Sequence, residues 1–217
     1  MSVDPTPHPL PARRILIGIA GSIAAALTVP QTIMWLRGGL DAEIRTIMTR
    51  QATTLVTPRA IAVASGHPVA LDPDGPPNDP LVPHIELTRW ADLFLVLPAT
   101  ADILGKAAQG IADTLLSTCI LAAACPVVFV PCMNGQMWRK PVVQRNVATL
   151  QADGYGVIPP VEGVALADGQ PTVGAMPDID SILDWVGRFL RQSAAEHALT
   201  SATLLGRTGT TLEGKVA

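Results

Sequence analysis

Apolar residues in this chain gather in short continuous runs separated by longer amphipathic stretches. The runs at 14–20, 92–97 and 127–130 are apolar almost throughout and do not alternate with polar residues, whereas 42–48, read as a further strand, mixes Ile44, Ile47 and Met48 with polar residues. A continuous run of four to seven residues is the pattern of a strand covered on both faces of a parallel sheet. Helix-periodic segments lie between these runs. One spans 23–36, with Gly38-Gly39 as its stop, and a Thr-rich turn at 49–54 leads into a second that ends near residue 64. A third covers 103–124 with a break at Gly110, and a fourth runs from about 137 to 153. A short strand at 155–158 and a helix over 179–191 complete the series. Strands alternating with helices predict an α/β fold: a single domain built on a doubly wound parallel sheet. The Pro/Gly/Asp-rich stretch 66–83 and the segment 159–177 are expected to be long loops.

Composition adjusts this picture only slightly. The 217 residues suit one sizeable core, and 48% hydrophobic content with 15% charge suits a sheet buried on both faces. The expected division is an arm at 1–13, a folded domain at 14–192 and a flexible tail at 193–217. A net charge of −3 gives no support for nucleic-acid binding. No apolar run reaches the roughly 18 residues needed to cross a membrane. The proline-rich start lacks the apolar centre of a secretory signal. Cys119, Cys125 and Cys132 have neither CxxC spacing nor a nearby histidine, so no metal site or disulfide framework is indicated. A reduced, cytoplasmic protein is the expectation.

In an open parallel sheet, ligands bind at the carboxyl ends of the strands. Four such ends carry small or polar residues: Gly21-Ser22, Thr49, 98–102 and 131–134. Gly21-Ser22 opens a helix, where free N–H groups favour phosphate, although a plain N-cap reads the same way. Neither GxGxxG nor GxxxxGK[ST] is present. In PCMNGQMW (131–138), an asparagine between two methionines sets an amide beside soft apolar walls. That corner suits a small carboxylate or amide next to a flat, apolar cofactor, while core packing is the commoner fate of side chains such as Met133, Met137 and Trp138. His84 is the best-placed proton carrier of the four histidines; a structural or solvent-exposed role is its plain alternative. Asp102 reads as an N-cap or as a ligand contact.

Together these residues resemble the flavin-dependent cysteine decarboxylase family, which includes phosphopantothenoylcysteine decarboxylases and peptidyl-cysteine decarboxylases of lantibiotic-like biosynthesis. PCMNGQMW fits the family pattern P-x-M-N-x-x-M-W, and PATADILGKAAQGIADTLLS resembles the pattern beginning P-A-S-A-N-T. GSIAA resembles the family's phosphate-binding start, and His84 stands at its active-site histidine position. The resemblance covers about 14–191. It implies FMN bound between subunits of a trimer, or of a dodecamer built from trimers. It implies Gly21, Ser22, Ile23 and Thr49 near the phosphate, with Thr100, Ala101, Asp102, Ile103 and Cys132 around the rest. His84 would act as acid/base, and Asn134, with Met133 and Met137 nearby, would hold the carboxylate of a C-terminal cysteine. The implied chemistry is oxidation of the cysteine side chain to a thioaldehyde, loss of CO2 and formation of an enethiol.

Two departures stand out. Asp102 occupies the position of a family asparagine, and a carboxylate can only accept hydrogen bonds where an amide can also donate. Phosphopantothenoylcysteine decarboxylases carry a cysteine at the position of Asp168 and an arginine at that of Ala175, and the cysteine helps reduce the enethiol. No cysteine follows Cys132 here. The expected reaction therefore stops at the enethiol of a precursor peptide with a C-terminal cysteine; the alternatives are a phosphopantothenoylcysteine decarboxylase of coenzyme A biosynthesis and a non-catalytic flavin-binding regulatory subunit.

Overall fold

The computed structural model describes residues 10, 12–72, 83–164 and 169–208, with side chains given only as far as 193. Its centre is a six-stranded, wholly parallel sheet built from β1 (Arg14–Ile19), β2 (Glu43–Met48), β3 (Val69–Leu71), β4 (Leu93–Ala99), β5 (Val127–Pro131) and β6 (Gly156–Val157). The spatial order is β3-β2-β1-β4-β5-β6, so the winding reverses between β1 and β4. That reversal opens a crevice at the carboxyl edge, as the doubly wound arrangement requires.

The apolar runs are continuous because both faces of these strands are buried. Ile15, Ile17 and Ile19 of β1 join Leu93, Leu95 and Leu97 of β4, and Val128 and Val130 of β5, in one core. Leu16, Phe94, Val96, Val127 and Phe129 point into a second core on the opposite face. Gly18 interrupts the β1 run for a packing reason. A Cβ there would lie 2.4 Å from Leu116 Cδ1 and 3.1 Å from Phe94 Cε2, so the glycine makes room for both side chains.

The first core is covered by α1 (Ala24–Leu27), α2 (Val29–Leu40), α3 (Arg50–Thr53), α4 (Pro58–Ser65) and a C-terminal helix, α10 (Ile179–Thr208). The second is covered by α5 (Pro83–Trp90), α6 (Ala101–Ala108), α7 (Leu115–Ala122) and α9 (Pro141–Ala152). A four-residue α8 (Gly135–Trp138) links β5 to α9. Asp72, just after β3, accepts a hydrogen bond from the Leu115 N–H and ties the sheet edge to the start of α7. Asp92 grips the other end of the sheet. It accepts from Arg14 Nη2 at 2.6 Å and from the Arg14 N–H at 3.0 Å.

Several local expectations need correction. Gly38-Gly39 does not stop a helix; α2 passes through both and ends at Leu40, with Asp41 in the left-handed region at φ 51°. The break lies earlier, at Thr28, because Pro30 favours the first turn of a new helix. The stretch 66–83 is not all loop: it contains the edge strand β3, and Pro83 already begins α5, with 73–82 outside the described residues. The segment 159–177 is an antiparallel hairpin of β7 (Val161–Val164) and β8 (Pro171–Ala175). Its glycine and proline content hides the strand pattern, and Asp168 lies outside the described residues. The last helix runs beyond 191 to Thr208.

Candidate functional site

Backbone bonds beyond the strands draw their carboxyl ends into one row. Thr49 N–H donates to Ile19 O at 3.0 Å, Ala20 N–H to Pro98 O at 3.3 Å, and Cys132 N–H to Ala99 O at 2.9 Å. The polar residues at three of these ends cap the next helix. Thr49 Oγ1 accepts from Ala52 N–H at 3.2 Å, Thr100 Oγ1 from Ile103 N–H at 3.4 Å, and Asn134 Oδ1 from Gln136 N–H at 2.7 Å. The N-cap of α6 is thus Thr100 and not Asp102, which lies in the first turn. The fourth end, Gly21-Ser22, has no such cap, and the Ile23 N–H meets no acceptor among the described residues.

At this edge lies a cavity of about 370 Å³. One wall is Ser22, Ile23, Ala24, Leu27 and Thr28; the floor is Cys132, Met133 and Asn134. The hairpin forms the facing wall through Val164, Thr172 and Gly174 to Met176. The hairpin is held in place by backbone contact: Met133 N–H donates to Gly174 O at 3.0 Å. Glycine is required on both sides of that contact. A Cβ on Gly174 would sit 2.1 Å from Met133 O, and one on Gly135 would sit 1.9 Å from Thr172 Oγ1.

Asn134 is oriented by its capping bond. Oδ1 is taken by the Gln136 N–H, so the amide NH2, with no acceptor among the described residues, is the part left for a ligand. The group it can hold is an acceptor such as a carboxylate.

The structure brings Ser22, Ile23, Cys132, Met133 and Asn134 together around this cavity. Gly21 precedes Ser22 and abuts Gln51, whose Cγ would lie 2.3 Å from a Cβ added there. Thr49, Thr100, Ala101, Asp102 and Ile103 stand along the same edge but do not line the cavity, and Met137 is 46% exposed on α8. His84 is also absent from the lining. It is half-buried in the first turn of α5, in the layer over the second core, and its carbonyl accepts the Thr88 hydroxyl at 2.7 Å. Residues missed from sequence are Leu27 and Thr28, which look like ordinary helix positions, and the hairpin wall, which looked like loop.

Asp102 carries no buried, unpaired charge. Its side chain is 71% exposed and lies 3.4 Å from Lys106 Nζ, which also reaches Asp113 at 3.1 Å. The Lys106 hydrogen bond holds the Asp113 carboxyl below its ordinary range. Burial pushes the Cys119 thiol up to about 12 and the Cys125 thiol to about 11. Among the described residues, no group of three or more His, Cys, Asp or Glu could hold a metal ion, and no helix is long and apolar enough to cross a membrane.

The profile of the flavoprotein family matches residues 4–191. The chain belongs to that family. The bifunctional coenzyme A biosynthesis protein CoaBC of Bacillus subtilis is 37% identical over 195 residues, covering 90% of this chain and 46% of the relative. The chain thus spans about half the length of the curated relatives it matches. Among solved structures, the FMN-dependent cysteine decarboxylase SpaF is 43% identical with a TM-score of 0.70, covering 83% of this chain and 97% of SpaF. The peptidyl-cysteine decarboxylase EpiD is 26% identical with a TM-score of 0.68, covering 80% of this chain and 97% of EpiD.

Proposed function

We propose that this flavoprotein removes the carboxyl group of a C-terminal cysteine on a precursor peptide and leaves an aminoenethiol. The cofactor is FMN. The residues fit it: the uncapped helix start leaves the Ile23 N–H free beside the Ser22 hydroxyl, and apolar Ile23, Leu27 and Met133 offer flat walls. Held there, FMN would supply a two-electron oxidant for the cysteine side chain, the two electrons and two protons passing on to dissolved oxygen, and so the chemistry that lets the adjacent carboxylate leave as CO2.

The observation that carries the reading is Asn134, whose capped amide presents donors on the cavity floor. There it orients the substrate carboxylate, while Met133 and Leu27 exclude water. His84 handles the proton. Because it lies outside its own chain's cavity, we assign it to the cavity of a neighbouring copy, in a homotrimer or a dodecamer of trimers. The exposed apolar side chains of Ile23, Leu27 and Met34 support such an assembly. Unpaired cysteines accord with a cytoplasmic setting.

A phosphopantothenoylcysteine decarboxylase is the second reading, supported by the CoaBC similarity. Against it stand the absence of any cysteine after Cys132 and the uncharged Ala175 on the hairpin wall. Mass spectrometry separates the two. Cysteine-terminated peptides should lose about 46 Da, the mass of CO2 and two hydrogens. Loss of about 44 Da from phosphopantothenoylcysteine, with the peptides unchanged, would establish the second reading instead.

A further inference from the structure

We propose that the α8–α9 face docks an acidic stretch of the substrate peptide, three to five residues before its terminal cysteine; this rests on the peptide reading above. No Asp or Glu occurs between Asp113 and Asp153, yet that stretch holds Arg139, Lys140 and Arg145 in a chain whose net charge is −3. All three cations are exposed, and none has an ion-pair partner among the described residues. Elsewhere Arg13, Arg14, Arg45 and Lys106 are each paired with a carboxylate. Met137 precedes the free cations and Val142 stands among them, 46% and 51% exposed. The face therefore joins positive charge to apolar area, the chemistry that receives an acidic, partly apolar segment. Lys140 is the N-cap of α9 but makes no side-chain capping bond, and the first turn holds no acid, so the positive end of the helix adds to the same field.

The face continues directly from the candidate carboxylate holder. α8 starts immediately after Asn134, and Lys140 follows six residues later. Along the chain, at about 1.5 Å per helical residue and with the extended residue Lys140 between α8 and α9, Lys140 lies at most roughly 11 Å and Arg145 at most roughly 18 Å away. An extended peptide advances about 3.3 Å per residue, so these distances correspond to the third to fifth residues before the cysteine.

The test uses the FMN-loaded protein and fluorescein-labelled octapeptides ending in cysteine, with Glu, Gln or Lys at those three positions. Fluorescence anisotropy should show Glu peptides binding about five- to tenfold tighter than Gln peptides, and Lys peptides weaker still. High salt should narrow the gap. The double variant R139E/K140E should reverse the order. Equal binding of all three peptides, no binding, or an unchanged order in the variant overturns the proposal. So does a variant whose oligomeric mass changes, because the face would then be a contact between copies. Mass loss independent of peptide charge would overturn the docking while keeping the decarboxylase. Charge-ordered binding without mass loss would keep the docking and overturn the decarboxylation of peptides.

Discussion

The substitution Asn134→Asp separates the structural role of this residue from its proposed chemical one. A carboxylate caps a helix as well as an amide does, so the bond to Gln136 N–H at 2.7 Å can be kept. Folding stability should then change by less than about 0.5 kcal/mol. What disappears is the NH2 donor, and what arrives is a negative charge facing the substrate carboxylate. Losing a hydrogen bond to a charged group costs about 1.5–3 kcal/mol. Because Asn134 lies exposed on the cavity floor, the added repulsion is closer to its value in water, about 1 kcal/mol at 4 Å. The sum, about 2.5–4 kcal/mol, corresponds to roughly a 70- to 900-fold fall in kcat/KM. Asn134→Ala loses the cap, costing about 1 kcal/mol of stability, and loses the donor without adding repulsion. Activity should thus rank wild type, then Ala, then Asp, while stability ranks wild type level with Asp and above Ala. Steady-state decarboxylation and urea denaturation of the three proteins read the two orders. An Asp variant within threefold of wild-type kcat/KM at equal FMN content would refute the role given to Asn134.

Two further outcomes follow from the titrating groups. The hydrogen bond from Arg14 is the largest influence lowering the Asp92 pKa, so its folded value lies below its unfolded one. Its stabilisation is present above about pH 4 and is lost as pH falls through the folded value. Urea denaturation of wild type and Asp92→Asn should differ clearly at pH 7, and the difference should shrink as pH falls below about 4; a gap independent of pH would contradict this linkage. With the Cys119 and Cys125 thiols pushed up to about 12 and about 11, alkylation of the native protein at pH 8 should fall on Cys132. Peptide mapping after iodoacetamide checks this, and bound FMN should slow the reaction at Cys132; equal labelling of Cys119 would count against its burial.

Five of the six strands of the main sheet were legible in the sequence, most clearly β1, β4 and β5, because burial on both faces leaves an unambiguous mark, whereas the edge strand β3 was read as loop. Every interior position of β1, β4 and β5 must be apolar, whatever its neighbours. The hairpin was not legible. Its two strands lie outside the main sheet and carry Gly163, Pro171 and Gly174, so neither face shows a hydrophobic run. The Gly38-Gly39 stop was misread because a glycine ends a helix only where the backbone turns left-handed, and here Asp41 makes that turn.

For the candidate site, the sequence by itself determined which residues stand at the strand ends, since the end of each apolar run fixes where the chain leaves the sheet. It also showed PCMNGQMW as a unit and the absence of any later cysteine. Only the tertiary structure decided which of these residues share a cavity. The ladder bonds from Thr49, Ala20 and Cys132 align the strand ends, and the Met133–Gly174 contact brings the hairpin across them. Asp102 was settled in the same way, by the approach of Lys106 between it and Asp113. Such contacts depend on strand order and on the space a missing Cβ leaves, which no local pattern of residues records.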